Sequence, residues 1–377
     1  MKKNLKKIIY LANIDSFFVS HRIKIAEKLK KNGYEVHVAT EFTNYKNLLN
    51  KKGFITHEID FKRNSLNIFL ALIPIFQIFF LLFKVKPDIL HLISLKPTII
   101  GGLISFVSPV KKIVISITGL GSMFLNKNIF EKIRKNIFNF LLKIVFLHNQ
   151  LIVILQNEND KKYLSIKTNL KKEKIKIIRG SGVDLKKFKF SKLPKNLFSI
   201  SMISRVIADK GVYEYISAVK NLKKNNFKAN FYLVGNIDFS NPSAVKKVDI
   251  NLWKKKKIIK YISHKQNIIS ILKKSSIIVL PSYREGFPKI LMEAAAVGRP
   301  SITTNVPGCR DAVINNKTGI LVPPKNAIRL AKAIKDLSLN KKKLNKISKA
   351  ARAHAVKKFN IIDIVNKHIL IYQSLIQ

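Results

Sequence analysis

The chain has 377 residues, 47% hydrophobic and 24% charged, a globular composition long enough for two domains. A single cysteine, Cys309, excludes an intramolecular disulfide and points to a reducing compartment. The formal net charge of +50 is carried mostly by lysines scattered along the chain. They are not interleaved with aromatics to stack bases, which argues against nucleic acid as the main partner. The accompanying excess of Ile, Asn and Phe reads as a codon bias towards A and T.

From the N-terminus, apolar runs alternate with helical patterns, the signature of parallel α/β units. The opening MKKNLKKIIYLANIDSFF is basic and then apolar. Asp15 interrupts the apolar run and no small-residue cleavage site follows, so Lys7–Ala12 reads as a first strand and not a leader peptide. A loop over Asn13–Val19 then leads into a helix from about Ser20 to Lys31, stopped at Asn32–Gly33. Strands are expected at Glu35–Ala39 and Phe54–Glu58 and then, with helices between them, at Ile89–Leu92, Val110–Ile117, Leu151–Leu155 and Lys174–Ile178. Together these make one Rossmann-like domain. The loop RGSGVDLKKF, Arg179–Phe188, ends it, with Asp184 read as a turn residue.

The second half repeats the pattern. Strands are expected at Phe198–Ile203, Asn230–Val234, around Ile258–Ile262, and at Ile277–Leu280. Helices are expected from near Gly211, over Asn267–Lys273, and over Asn326–Leu337, Lys342–Lys358 and Ile361–Ile376. The expected divisions are 1–188, 189–358 and a last helix in 359–377.

Leu66–Phe83 is the most apolar stretch, broken only by Asn67, Pro74 and Gln77. By length it borders on a membrane span. A single crossing there would put two halves of one Rossmann domain on opposite sides of the bilayer. A helix lying in the membrane interface fits better, aided by lysines drawn to anionic lipid, with a core helix on the sheet as the other reading.

The most informative stretch is PSYREGFPKILMEAAAVGRPSITTNVPGCRDAVINNKTGILVPP, Pro281–Pro324. Pro288 suits a first helical turn, Gly298 a C-terminal stop, and Pro300 forbids continuation. Glu285 precedes the helix and Glu293 lies about one and a half turns inside it, so the two acids can face one site at different depths. Gly286 and Phe287 offer backbone N–H groups at the helix N-terminus, where anions bind. Upstream, SRVIADKG sets Arg205 and Lys210 just after a strand, at the end where open α/β sheets bind ligands.

The E-x7-E pair with its flanks, VPGCRD and TGILVPP, and the R-x4-K-G element resemble the family-four glycosyltransferases of the GT-B fold. The resemblance covers nearly the whole chain, most strongly after about Phe198. It implies an α/β fold of two Rossmann-like domains facing a cleft, with the last helix crossing back onto the N-terminal domain. It also implies transfer of a sugar from a nucleotide diphosphate sugar, with retention at the anomeric carbon. Glu285 would meet the donor sugar, Glu293 the ribose, and Arg205 and Lys210 the diphosphate. Gly235 would allow close backbone approach to the nucleotide. In the loop Tyr261–Asn267, His264 either stacks on the base or is a surface residue.

On the acceptor side the candidates are Ser16 and His21 in the first loop, and Thr118 and Gly119 in ITGLGSMF. His21 serves equally as a structural histidine. Many members of the wider family place a histidine near Thr118, and this chain does not. The TGLG form resembles enzymes that assemble lipid-linked bacterial surface glycans. A UDP-sugar donor, a polyprenyl diphosphate-linked saccharide acceptor and a cytoplasmic site at the inner face of the plasma membrane are therefore expected. No Asp-x-Asp motif and no zinc spacing is present, so neither a metal nor any other cofactor is expected. A nucleotide-sugar epimerase and a non-catalytic nucleotide-sugar binding protein are the alternatives.

Overall fold

The structure, a computed structural model, describes residues 5–61, 68–121, 129–195, 198–263 and 267–376. They form two compact units, Met1–Ser181 with Asp363–Gln377, and Gly182–Ile362. Each is built on one parallel sheet, the doubly wound α/β pattern expected of a GT-B chain.

The first unit runs β1 (Lys7–Ile14), α1 (Asp15–His21), α2 (Ile23–Lys31), β2 (Glu35–Glu41), α3 (Lys46–Lys51) and β3 (Ile55–Glu58). It continues with α4 (Ile68–Val85), β4 (Ile89–Ile93), α5 (Leu95–Ile104), β5 (Lys112–Ile117), α6 (Ile129–Val145), β6 (Gln150–Leu155), α7 (Glu158–Thr168) and β7 (Ile175–Ile177). The sheet order is β3-β2-β1-β4-β5-β6-β7. Central strands such as IIYLA and ILHLI are buried on both faces, which is why they read as continuous apolar runs. Ile9, Leu11, Leu90 and Leu92 face a core closed by α4, α5 and α6.

The expected loop over Asn13–Val19 is helical instead from Asp15, and the helix expected from Ser20 is two helices divided at Arg22. The cause is tertiary. Burial alone would raise the Asp15 pKa, but the Thr43 hydroxyl and the amides of Tyr45, Thr43 and Asn44 donate to its carboxylate and hold it below the usual range. Its own first-turn amide, from Ser16, donates at 2.6 Å. An acid at a helix N-terminus with this many donors fixes α1 where the local pattern signals a loop. Leu66 and Asn67, the start of the apolar stretch, lie outside the described residues.

The second unit runs β8 (Ser199–Ile203), α8 (Val212–Lys224), β9 (Asn230–Val234), α9 (Lys247–Lys255), β10 (Lys260–Ile262), α10 (Ile268–Lys274) and β11 (Ile277–Leu280). There follow α11 (Lys289–Val297), β12 (Ser301–Thr304), α12 (Cys309–Ala312), β13 (Gly319–Val322), α13 (Ala327–Leu339) and α14 (Lys341–Lys358). Its order, β10-β9-β8-β11-β12-β13, reverses direction between β8 and β11. Ligands of such sheets bind outside the strand ends at that reversal. α11 stops at Gly298 in the left-handed region, as expected, whereas Pro288 is the extended residue just before its first turn and not part of it. Strands β12 and β13 and helices α3 and α9 add to the elements expected from sequence.

The last helix, α15 (Ile361–Ile376), joins the first unit from Asp363 onward. It closes the sheet face opposite α4–α6 through a buried polar network. The Tyr372 hydroxyl lies 2.7 Å from His91 Nδ1 and 3.1 Å from the Tyr10 hydroxyl, and His91 Nε2 lies 2.7 Å from Ser116 Oγ. His368 and the Arg22 guanidinium are buried beside them. Tyr372→Phe leaves two buried partners unsatisfied and is expected to cost about 1–3 kcal/mol in denaturant unfolding.

Burial, reinforced by Arg22, pushes the His368 pKa from its ordinary 6.5 down to about 3, and His91 moves the same way. Both imidazoles stay neutral when folded and take protons when unfolded. The unfolded chain then binds more protons, so stability is full above pH 6.5 and falls as acid approaches pH 3. Measured between these limits, the slope is expected to flatten in His368→Gln. An unchanged slope would remove this histidine from the account.

Candidate active site

The loops that leave β8 and β11 at the sheet reversal carry five of the predicted residues, Arg205, Lys210, Glu285, Gly286 and Phe287. After β8 the chain turns through Ser204–Gly211 into α8, and after β11 it turns through Pro281–Pro288 into α11. The two loops are tied by the Tyr283 amide, which donates to the Asp209 carbonyl at 2.9 Å. That tie sets Lys210 against Glu285. The Lys210 ammonium donates to Glu285 Oε1, with side-chain exposures of only 17% and 11%. Ser282, fully buried, donates its hydroxyl to the same oxygen at 2.7 Å. Both donors engage Oε1, and among the described residues none takes Oε2.

The loop after β12 supports this carboxylate from below. The Glu285 amide donates to the Pro307 carbonyl at 3.3 Å. Gly308 adopts φ +81°, and a Cβ there would stand 2.6 Å from the carbonyl oxygens of both Glu285 and Gly286. Only glycine admits both the backbone angle and that approach. The thiol of Cys309 is pushed up to about 12, chiefly by burial and then by the Glu285 charge. It is a packed, un-ionised residue beside the acid and not a nucleophile. Thr304 donates its hydroxyl to the Ser282 carbonyl, fixing the other end of the same loop.

Arg205 lies in the same loop as Lys210 but is exposed, and its Nη1 donates to Asp238 at 2.7 Å. Glu293 faces inward from α11, buried, with Lys289 at 3.4 Å one turn earlier. Burial raises its pKa, and the charges of Lys289 and Lys187 pull it back only in part. The two acids thus have different surroundings. Glu285 is paired with an ammonium, and Glu293 is drawn towards protonation by its surroundings.

Phe287 is not a surface group. It is buried against Phe359, with ring centroids 5.6 Å apart, so its side chain anchors the loop. Gly286, just before it, is buried too. Gly235 adopts φ +145°, and a Cβ would stand 1.8 Å from the Ser204 carbonyl oxygen. The close backbone approach that needs glycine is therefore to the β8 loop. His264 lies outside the described residues.

In the first unit, the acceptor candidates occupy the ends of β1 and β5. Ser16 is half-buried in the first turn of α1. His21 ends that helix. Its ring stacks on Phe17 at 4.2 Å, and Nδ1 lies 3.2 Å from the Phe17 carbonyl, the arrangement of a structural histidine. Thr118 and Gly119 are half-buried just past β5, Gly119 at φ +133°.

Sequence reasoning missed Ser282 and Asp238. Ser282 stood three residues before Glu285 in the same quoted stretch, and a hydroxyl at that spacing in a tight loop was the available signal. Asp238 is far from Arg205 in sequence, and no local pattern pairs them.

Comparison with known proteins follows the same division. Residues 183–354 match the family of glycosyl transferases group 1, and residues 7–157 match the glycosyl transferase 4-like family. The chain is 28% identical over 385 residues to the N,N'-diacetylbacillosaminyl-diphospho-undecaprenol alpha-1,3-N-acetylgalactosaminyltransferase of Campylobacter jejuni, covering 98% of this chain and 99% of that protein. It is 26% identical over 351 residues to the capsular polysaccharide biosynthesis glycosyltransferase CapM of Staphylococcus aureus, covering 88% and 87%. The fold superposes on Anabaena Alr3699/HepE in complex with UDP-glucose with a TM-score of 0.79 at 18% identity, covering 98% and 99% of the two chains. With both halves matched, and with a parallel α/β sheet in each unit, the chain belongs to the group 1, family-four-like glycosyltransferases of the GT-B fold.

Proposed function

We propose that the chain is a retaining, metal-independent glycosyltransferase that moves a sugar, an N-acetylhexosamine, from a UDP-sugar to a polyprenyl diphosphate-linked saccharide in bacterial surface glycan synthesis. The observation that carries this reading is the Lys210–Glu285 pair at the β8/β11 reversal, with Arg205 in the same loop. A departing nucleoside diphosphate develops charge on its β-phosphate, and fixed cations at that place stabilise it. Lys210 serves as the compact point charge, and Arg205, once it exchanges Asp238 for phosphate, as the two-pronged partner. The two curated relatives make capsular and undecaprenol-linked glycans by name, and the structural neighbour binds UDP-glucose, which supports the donor and acceptor classes.

In this reading the acceptor hydroxyl attacks the anomeric carbon on the face from which the diphosphate leaves. The bond from that carbon to the β-phosphate oxygen breaks, its electron pair stays on the phosphate, and the phosphate takes the hydroxyl proton. No protein nucleophile is required. Glu285, with Oε1 held by Lys210 and Ser282, orients the sugar hydroxyls through Oε2 and favours positive charge at the anomeric carbon. Glu293 accepts from the ribose. The membrane bears the acceptor, and the enzyme works at its cytoplasmic face.

Lys210→Ala is expected to lower kcat by about a hundredfold or more with the fold intact. Activity within a few-fold of the parent would remove Lys210 from the transition state. Glu285→Gln should act mainly on kcat and Glu293→Ala mainly on donor affinity, and the reverse pattern would undo these roles. Transfer should survive EDTA, and its abolition would require a metal. UDP-sugar altered without an acceptor would favour an epimerase, and binding without turnover a non-catalytic protein.

Because burial raises the Glu293 pKa, its carboxylate protonates at a higher pH than an exposed glutamate. Donor affinity is then expected to weaken early on acidification. Titration of UDP binding against pH checks this, and Glu293→Gln should abolish the effect.

A further inference from the structure

We propose that the outer surface of the α4–α5–α6 layer docks on an anionic lipid surface, an inference that rests on the lipid-linked acceptor reading above. α5 packs between α4 and α6, and all three cover the same face of the first unit's sheet. Each flanking helix is apolar on both sides. α4 turns Ile78, Leu82 and Val85 inward and leaves Leu72, Phe76, Phe80 and Phe83 at 42–65% exposure. α6 turns Phe138, Leu142 and Val145 inward and leaves Ile129, Ile133, Ile137 and Phe140 at 52–62% exposure.

Packed helices lie roughly 8–10 Å apart, so the two ridges stand about 20 Å from each other. Each helix is roughly 25 Å long at 1.5 Å per residue. The surface so outlined reaches the upper range of apolar patches on monomers, which marks an interaction site. Among the described residues no helix is long and apolar enough to cross a membrane, so this surface would lie on one.

Charge selects the occupant. α4 has no acid and carries Lys84 in its last turn, with Lys86 just beyond. α6 has four cations and one acid, Glu131, which pairs with Arg134. Apolar ridges edged by exposed Lys84, Lys86, Lys132 and Lys143 complement anionic headgroups over hydrocarbon. A second copy of this chain would instead bring the same basic edges together, with a net charge of +50 on each partner.

The test is flotation of the full chain with vesicles of phosphatidylcholine alone and of equal parts phosphatidylcholine and phosphatidylglycerol. The parent should float with the mixed vesicles and be released by high salt. Phe76→Ser and Phe80→Ser combined with Ile133→Ser and Ile137→Ser should lower the bound fraction at least about tenfold. These side chains are exposed, so the melting temperature should hold, and transfer to a water-soluble acceptor analogue should match the parent. Ile328→Ser, at 75% exposure in the second unit, should leave binding unchanged.

Equal flotation of the variant and parent, or no flotation of the parent, overturns the proposal. So does a dimer of the parent in sedimentation that the variant loses, since that assigns the face to a second copy. A parent that floats but transfers no sugar to any acceptor refutes the functional reading and leaves the lipid contact standing.

Discussion

The contact between the Lys210 ammonium and the Glu285 carboxylate is the constraint around which the loops at the β8/β11 reversal are arranged. An ammonium and a carboxylate this little exposed are costly to desolvate and hold only with further hydrogen bonds. Three loops supply the setting. The β8 loop brings the lysine, the β11 loop the acid and Ser282, and the β12 loop the Pro307 carbonyl and Gly308 beneath them. Parallel strands place all three loops at one sheet edge. The pair is therefore a property of the topology as much as of the two residues.

The same logic explains why the two acids differ. Glu285 sits in a loop, where a cation and a hydroxyl keep one oxygen engaged. Glu293 sits inside α11, on a helix packed into the apolar core, where burial outweighs its lysine neighbours. The seven intervening residues thus separate one acid held by a cation and a hydroxyl from one drawn towards protonation by burial. The first unit has a polar interior of another kind. Its tyrosines and histidines join the last helix to the sheet and lie on the face opposite the apolar helix layer.

Much of this was legible in the sequence, for physical reasons. Strands buried on both faces, such as Ile277–Leu280, appear as unbroken apolar runs bounded by polar or turn residues. Helices with their own stop signals, such as α11 at Gly298, appear almost to the residue. What depended on distant partners was not legible. α1 forms because the amides of residues 43–45 reach Asp15, and nothing in the sequence near Asp15 announces it. Tyr10 and Tyr372 meet across 362 residues, and Arg205 meets Asp238 across 33. Gly235 shows a subtler case. A close backbone approach there was legible, and the Ser204 carbonyl, which one such approach brings to it, was not. The apolar stretch before Lys84 signalled an unusual surface, but its counterpart on α6 emerged only when the two helices were placed on one side of the sheet.

The most direct measurement is a crystal structure of this chain with UDP bound. The account predicts the diphosphate at the β8/β11 reversal, within hydrogen-bond distance of Lys210 Nζ, with Arg205 turned from Asp238 to phosphate and Glu293 on the ribose. A nucleotide bound elsewhere, or bound there with Lys210 still on Glu285 and no phosphate in its reach, would contradict it.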